Sequence, residues 1–162
     1  MNKLSTTTPC NHTSVGIIVE RYGSLLLIER QKFPIGMAVP AGHVDEGETY
    51  EQAAYRELFE ETGLEAHGLI LVIEGRRYQS CRRPGGSFHD WKVYRAHVTH
   101  SQELRENTDE CKRIDWYTPE YVAHLAKRTE LYVAQQLSPA QWQASPGLEV
   151  VWYQFLRNLK LI

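Results

Sequence analysis

Glu57, Glu60 and Glu61 stand three and four residues apart in GHVDEGETYEQAAYRELFEETGL, the stretch from Gly42 to Leu64. On a helix turning about 100° per residue, this spacing brings all three carboxylates within one arc of roughly 100°. Like charges so placed repel, by roughly 0.2–0.5 kcal/mol per solvated pair and by more when partly buried. The face therefore calls for a cation. An all-oxygen donor set suits a hard dication such as Mg²⁺, which keeps several waters and takes phosphate oxygens as further ligands. No histidine or cysteine lies at ligand spacing on that face, which argues against zinc there. A run of glutamates is often no more than a solubilising surface. Such a surface does not require Arg56 beside the cluster, Glu48 ahead of it, or the glycines Gly42 and Gly47 leading into it.

The elements that must position these groups are legible in part. Thr49-Tyr50-Glu51-Gln52 has the pattern of a capping box, which predicts a helix over 50–62, and Gly63 can take the left-handed conformation that closes it. Upstream, Val15–Glu20 and Ser24–Glu29 are apolar runs separated by Arg21-Tyr22-Gly23 and read as a hairpin. Gln31–Gly36 reads as a loop and Met37–Pro40 as a short strand. Downstream, Leu69–Ile73, Arg76–Arg82 and Phe88–Val98 are strand-like, with Pro84-Gly85-Gly86-Ser87 as the turn of a second hairpin. Beyond Asn107 the pattern reads as helical. Thr118-Pro119 and Ser138-Pro139 each place a capping hydroxyl before a proline suited to the first helical turn. Leu148, Trp152, Phe155, Leu156 and Leu159 form an apolar stripe expected to pack on the sheet.

The whole chain sets bounds on this chemistry. Its 162 residues suffice for one core, and 42% hydrophobic with 23% charged residues is ordinary for a globular protein. The formal charge of −2 supplies no global positive field for nucleic acid or an anionic membrane. Cys10, Cys81 and Cys111 are odd in number and form no C-x-x-C pair, so neither a disulfide framework nor a cysteine zinc site is expected. A polar start without an apolar signal core, and no long apolar run, make a cytoplasmic location the expectation. Residues 1–12 are expected to be a polar lead and 13–162 a single domain.

The segment Gly42–Leu64 resembles the Nudix box, G-x₅-E-x₇-R-E-U-x-E-E-x-G-U with U aliphatic. Gly42, Glu48, Arg56, Glu57, Leu58, Glu60, Glu61, Gly63 and Leu64 occupy every specified position. The resemblance implies an α/β (α+β) fold, an α/β/α sandwich with a mixed, partly antiparallel sheet and a loop–helix–loop catalytic motif. It also implies metal-dependent hydrolysis of a diphosphate linkage in a nucleoside diphosphate joined to another moiety: a nucleoside triphosphate, ADP-ribose or a nucleotide sugar. Carried over by position, Glu57, Glu60 and Glu61 resemble the carboxylates that bind Mg²⁺ or Mn²⁺, with the Gly42 carbonyl as a further ligand. Arg56 resembles the box arginine that orients them, and Glu48 would be its partner or hold a metal-bound water. Glu57 or Glu60 would be the base, and Glu106, Glu110 and Asp115 are candidates for a further carboxylate, each also an ordinary surface acid.

Substrate contacts lie outside the box. Arg30, Arg76, Arg77, Arg82 and Arg83 have guanidinium groups suited to phosphate, although a solvated basic strand is an equal reading. Tyr78 lies among them. Phe88, Trp91 and Tyr94 have the chemistry of a stacking wall for a base, against the plainer reading as core. His43 and His89 lie near the site, where a lone histidine is more often structural than catalytic. The expected partner is a small nucleotide-like diphosphate, with no membrane and no nucleic acid, and a homodimer is allowed. Two alternatives stand beside this reading: hydrolysis of a dinucleoside polyphosphate or capped RNA, and a binding module that recognises a nucleotide without turnover.

Overall fold

The protein is described from a computed structural model that covers residues 8–105, 109 and 111–162. In chain order the described elements are β1 (Thr13–Ile18), β2 (Glu20–Arg21), β3 (Ser24–Arg30), β4 (Met37–Ala38), β5 (Ala41–His43), α1 (Tyr50–Thr62), β6 (Ala66–Tyr78) and β7 (Phe88–Val98). They continue with β8 (Cys111–Tyr117), α2 (Pro119–Val133), α3 (Pro139–Ala144) and α4 (Val150–Asn158).

One sheet runs in the order β5-β1-β7-β6, with β1 and β7 parallel and the outer pairings antiparallel. In the second, β3 pairs with β8 along one edge and with the short strands β2 and β4 along the other. The first sheet is mixed and the second is antiparallel, in keeping with the mixed, partly antiparallel architecture the resemblance implies. Alternate side chains of a strand face opposite sides, and the burial follows that rule. Val15, Ile17 and Val19 join Leu26, Ile28, Tyr94 and Ala96 in a core under α1, closed by Ala53, Ala54 and Leu58. Ile18, Leu25, Leu27, Trp91 and Val93 face the other way, onto Val122, Leu125, Trp152, Phe155 and Leu156 of α2 and α4. Helices thus cover both faces.

The first hairpin differs from the sequence expectation. β1 and β3 belong to different sheets, and only Glu20–Arg21 folds back on Ser24–Leu25. Tyr22 and Gly23, at φ 51° and 79°, form the two-residue turn, which needs positive φ at both positions. The physical reason lies in burial on both faces: β1 and β3 are each continuously apolar, so each needs neighbours on both edges and serves as a central strand. β8 is a second correction, since the chain beyond Asn107 enters helix only after this strand. Cys111 and Ile114 are its buried residues, so its own pattern is weak, and pairing with β3 defines it.

The helix boundaries follow the capping chemistry. Gln52 N–H donates to Thr49 Oγ1 (3.1 Å) and Thr49 N–H to Gln52 Oε1 (2.8 Å), and Gly63 closes α1 at φ 75° with its N–H on the Phe59 carbonyl. Thr118 and Ser138 cap α2 and α3 ahead of their prolines. The stripe expected at the carboxyl end is α4, which buries Val151, Trp152, Phe155 and Leu156. Trp152 lies directly on β1 at Gly16, where a Cβ would overlap its indole. No described helix is long and apolar enough to cross a membrane.

Candidate active site

β5 delivers Gly42 to the start of the catalytic segment, and α1 carries Arg56, Glu57, Glu60 and Glu61 beneath it. The Glu57 carboxylate rests against the Gly42 Cα so closely that a Cβ there would overlap it. Here glycine is required by contact. Arg56 organises the acids: its Nε and Nη2 donate to Glu48 Oε1 and Oε2 (2.8 and 2.9 Å), and Nη1 donates to Glu57 Oε1 (2.7 Å) and Glu60 Oε2 (3.3 Å). Nη2 also reaches the His43 carbonyl (3.0 Å), tying α1 to the end of β5. Glu48 accepts from Asp45 N–H (3.0 Å), which holds the connecting loop in the same network. Glu61 turns to the opposite side, where its Oε2 accepts from Ala41 N–H (2.9 Å).

The environment separates the acids. The Glu57 side chain is 14% exposed and the Glu60 side chain 37%. Burial pushes the Glu57 carboxyl up to about 7, with Arg56 opposing and Glu60 reinforcing the rise. The bidentate Arg56 guanidinium instead holds Glu48 below the usual carboxylate range, and these acids push the guanidinium still further toward its charged form. Carboxylate oxygens are thus concentrated around Glu57 and Glu60, with Glu61 on the same helix. All-oxygen donors, one of them held near neutrality by burial, fit a hard dication of the Mg²⁺ or Mn²⁺ type. Glu57 and Glu60 are drawn together through Arg56 and Glu61 borders a neighbouring cleft, so the three are not splayed into bulk water.

That cleft is lined by Ile28, Arg30, Lys32, Ala38, Val39 and Glu61. Arg30 and Lys32, the latter passed over in the sequence reading, thus share this cleft with Glu61. Arg30 Nε lies 3.7 Å from the buried Glu149 Oε2, beyond hydrogen-bond length, so charge alone joins them. Burial raises the Glu149 carboxyl and Arg30 opposes that rise.

The other proposed substrate contacts disperse. Arg76 makes a two-point ion pair with Asp90 (2.8 and 3.0 Å), and the Arg77 guanidinium lies 4.2 Å from the centre of the buried Phe155 ring. Tyr78 is 80% exposed. Arg82 and Arg83 lie near enough to His43 to disfavour its protonation, though burial is the larger cause of its low pKa, about 3. Trp91 is corrected: it is 6% exposed and packs edge-on against Trp152 and Phe155, so it is core and no open stacking wall. Tyr94 is likewise buried, and Phe88 is stacked on His12. Asp115 lies on β8 and accepts from Trp116 N–H; Glu106 and Glu110 lie outside the described residues.

A second constellation, which the cysteine spacing gave no sign of, lies beside the first. Cys10, His43, Cys81 and His89 each turn a ligand atom toward a common centre, all four within 4.8 Å of one another. They come from four separate segments, so no local motif announces them. Cys10, placed in the expected polar lead, is buried, and its backbone N–H donates to the Pro84 carbonyl (2.8 Å).

Comparison with known proteins agrees with this geometry. The family model described as NUDIX domain matches residues 11–137. A curated protein from Aeromonas hydrophila named RNA pyrophosphohydrolase is 35% identical over 71 residues, covering 44% of this chain and 41% of that protein. One of the same name from a Shewanella species is 39% identical over 72 residues, with the same shares. The matches thus span less than half the length of these relatives. The solved MutT NUDIX hydrolase from Burkholderia pseudomallei superposes with a TM-score of 0.59 at 26% identity, covering 67% of this chain and 84% of that one.

Proposed function

This chain belongs to the NUDIX domain family, and from that premise we propose that it hydrolyses the diphosphate linkage of a nucleoside diphosphate joined to another moiety, using Mg²⁺ or Mn²⁺. The observation that carries the reading is the placement of Glu57 against Gly42, with Arg56 bridging Glu48, Glu57 and Glu60.

In the proposed site Glu57, Glu60, Glu61 and the Gly42 carbonyl would hold the dication. When bound, it supplies Lewis-acid charge to phosphate oxygens and makes a neighbouring water more acidic. The chain's own groups do the rest. Arg56 sets the rotamers of Glu48 and Glu57 through charge-assisted hydrogen bonds, so the carboxylates are oriented before substrate arrives. Glu57 and Glu60 share one guanidinium nitrogen, and this pair is the proposed acceptor of the water's proton. Arg30 and Lys32, lining the cleft beside Glu61, offer cations to the diphosphate. Arg82 is a more distant phosphate contact, and Arg76, Arg77 and Tyr78 are assigned to the rim of the β6–β7 hairpin.

A small nucleotide is the favoured substrate. A second reading, RNA carrying a terminal polyphosphate, is supported by the names of the curated relatives. Against it, the chain's net charge of −2 supplies no broad field for a polyanion. The deciding experiment incubates the protein with Mg²⁺ and a panel of nucleoside triphosphates, ADP-ribose, nucleotide sugars, dinucleoside polyphosphates, capped RNA and 5′-triphosphorylated RNA. Products are identified by chromatography. Turnover of a mononucleotide well above that of either RNA is expected; the reverse order establishes the RNA reading. Saturable binding without any product establishes the binding-module reading.

A further inference from the structure

We propose that Cys10, His43, Cys81 and His89 form a structural zinc site that clamps the amino-terminal segment and the β6–β7 hairpin to the entrance of the catalytic loop. The distances carry the proposal. Cys10 Sγ lies 3.6 Å from His43 Nε2 and 3.2 Å from His89 Nε2, and Cys81 Sγ lies 3.5 Å from His43 Nε2. With zinc–sulfur bonds of about 2.3 Å and zinc–nitrogen bonds of about 2.0–2.1 Å, the sulfur–nitrogen edge of a tetrahedron is about 3.6 Å. Three sulfur–nitrogen separations thus lie near the edge a tetrahedral ion requires, and all four donor atoms lie within 4.8 Å of one another.

Backbone amides reach both sulfurs. His12 N–H points at Cys10 Sγ (3.4 Å) and Arg83 N–H at Cys81 Sγ (3.2 Å), so each sulfur accepts from the backbone two residues on. Such donors stabilise sulfur that carries negative charge and orient it toward a metal. The turn after Cys81 is tightened by Cys81 N–H to the Gly86 carbonyl, and a Cβ at Gly86 would overlap the Cys81 side chain. Cys10 and His89 are 8% and 2% exposed, which keeps two of the four donors from water. Hydrogen bonding between neutral thiols and imidazoles is weak and gives no reason to gather four such groups from four segments. Two sulfurs and two imidazoles prefer zinc to Mg²⁺, and four protein donors leave no open position for substrate. Binding expels the two thiol protons, and the resulting centre of one Zn²⁺, two thiolates and two neutral imidazoles carries no net charge.

The position explains what the ion would do. Cys10 precedes β1, His43 ends β5, Cys81 lies in the hairpin turn and His89 is on β7. His43 follows Gly42 directly, and its carbonyl accepts from Arg56 Nη2 (3.0 Å), so one residue links the cluster to the carboxylate network. This is a site separate from the proposed Mg²⁺ site, and it stands whether or not the chain hydrolyses diphosphates.

The test is elemental analysis of the full chain, produced in zinc-supplemented medium and purified reduced, without chelator or affinity histidines. One zinc per chain is expected. Cys81→Ser and His89→Gln should lose at least nine-tenths of it, whereas Cys111→Ser and Glu60→Gln should keep it. Cobalt exchanged into the wild-type chain should give the intense visible bands of tetrahedral coordination with a sulfur charge-transfer band, a readout that needs no variant to fold. Folded, reduced wild-type protein that neither carries zinc nor takes it up when Zn²⁺ is added would overturn the proposal. So would an octahedral cobalt spectrum, or an intact mass lacking two hydrogens, which would mark a Cys10–Cys81 disulfide. Because Glu60→Gln disables the proposed hydrolysis and Cys81→Ser the clamp, failure of one reading is distinguishable from failure of the other.

Discussion

At the scale of single residues, two acids bound to the same arginine are driven in opposite directions by their surroundings. Glu48 faces a bidentate guanidinium and stays ionised, while Glu57 loses more hydration than Arg56 restores. The raised Glu57 value means that the folded chain holds a proton which the unfolded chain has released between pH 4.5 and about 7. Stability without divalent ions should therefore fall as pH rises through that window and level off above it. Glu48 acts in the other sense: its contribution is complete above its ordinary value and is lost as pH falls through its lowered one. Urea unfolding in a chelator at successive pH values checks this, and Glu57→Gln should flatten the decline. A decline that persists unchanged in the variant would assign it to another group. Glu60→Gln and Glu61→Gln should each lower turnover at least about a hundredfold through lost metal coordination, with unchanged circular dichroism. Near-normal rates in both would remove the glutamate cluster from the mechanism.

At the scale of elements, α1 is useful because both of its ends are fixed independently of its acidic face. The capping box at Thr49 supplies partners for amides that a helix start otherwise leaves unpaired. Thr49→Ala should cost about 1 kcal/mol of stability, within the roughly 0.5–2 kcal/mol usual for such caps. Thermal or urea unfolding measures it, and a loss below a few tenths of a kcal/mol would show that tertiary packing alone holds the helix start. The β6–β7 hairpin plays a different part. It carries Arg76 and Tyr78 toward solvent, lays Arg77 over Phe155 and returns through Cys81 to His89, with its turn tied to the amino-terminal segment by Cys10 N–H on the Pro84 carbonyl.

At the scale of the whole molecule, the two cores on opposite faces of the strands set where the site can be. Trp152 is fully buried, lies over Gly16 and packs edge-on against Trp91, joining α4 to β1 and β7. Trp152→Ala removes that contact and leaves a void, so a loss of about 3–5 kcal/mol is expected, read as a fall in the denaturation midpoint. A loss under about 1 kcal/mol would mean that α4 is an appendage and not part of the core. The layer containing α1 is separate from this one, so the destabilised protein should retain its metal-binding carboxylates under conditions where it remains folded.

The sequence by itself determined whatever depends on neighbours along the chain. Helix α1, its two caps and the carboxylate face follow from spacings of three and four residues, within the reach of a few helical turns, while the Arg56–Glu48 pairing was implied by the resemblance to the Nudix box. The carboxyl-terminal stripe was legible for the same reason. Tertiary structure decided what depends on meetings between distant segments. It separated the first two apolar runs into different sheets because each is buried on both faces, and it made a strand of β8 by pairing it with β3. It moved Trp91 into the core and brought Lys32 to the cleft. It also gathered Cys10, His43, Cys81 and His89, which are up to 79 residues apart, at one point. Spacing along a chain reports geometry only where the backbone repeats regularly; between segments, the packing of sheets and helices supplies the distances.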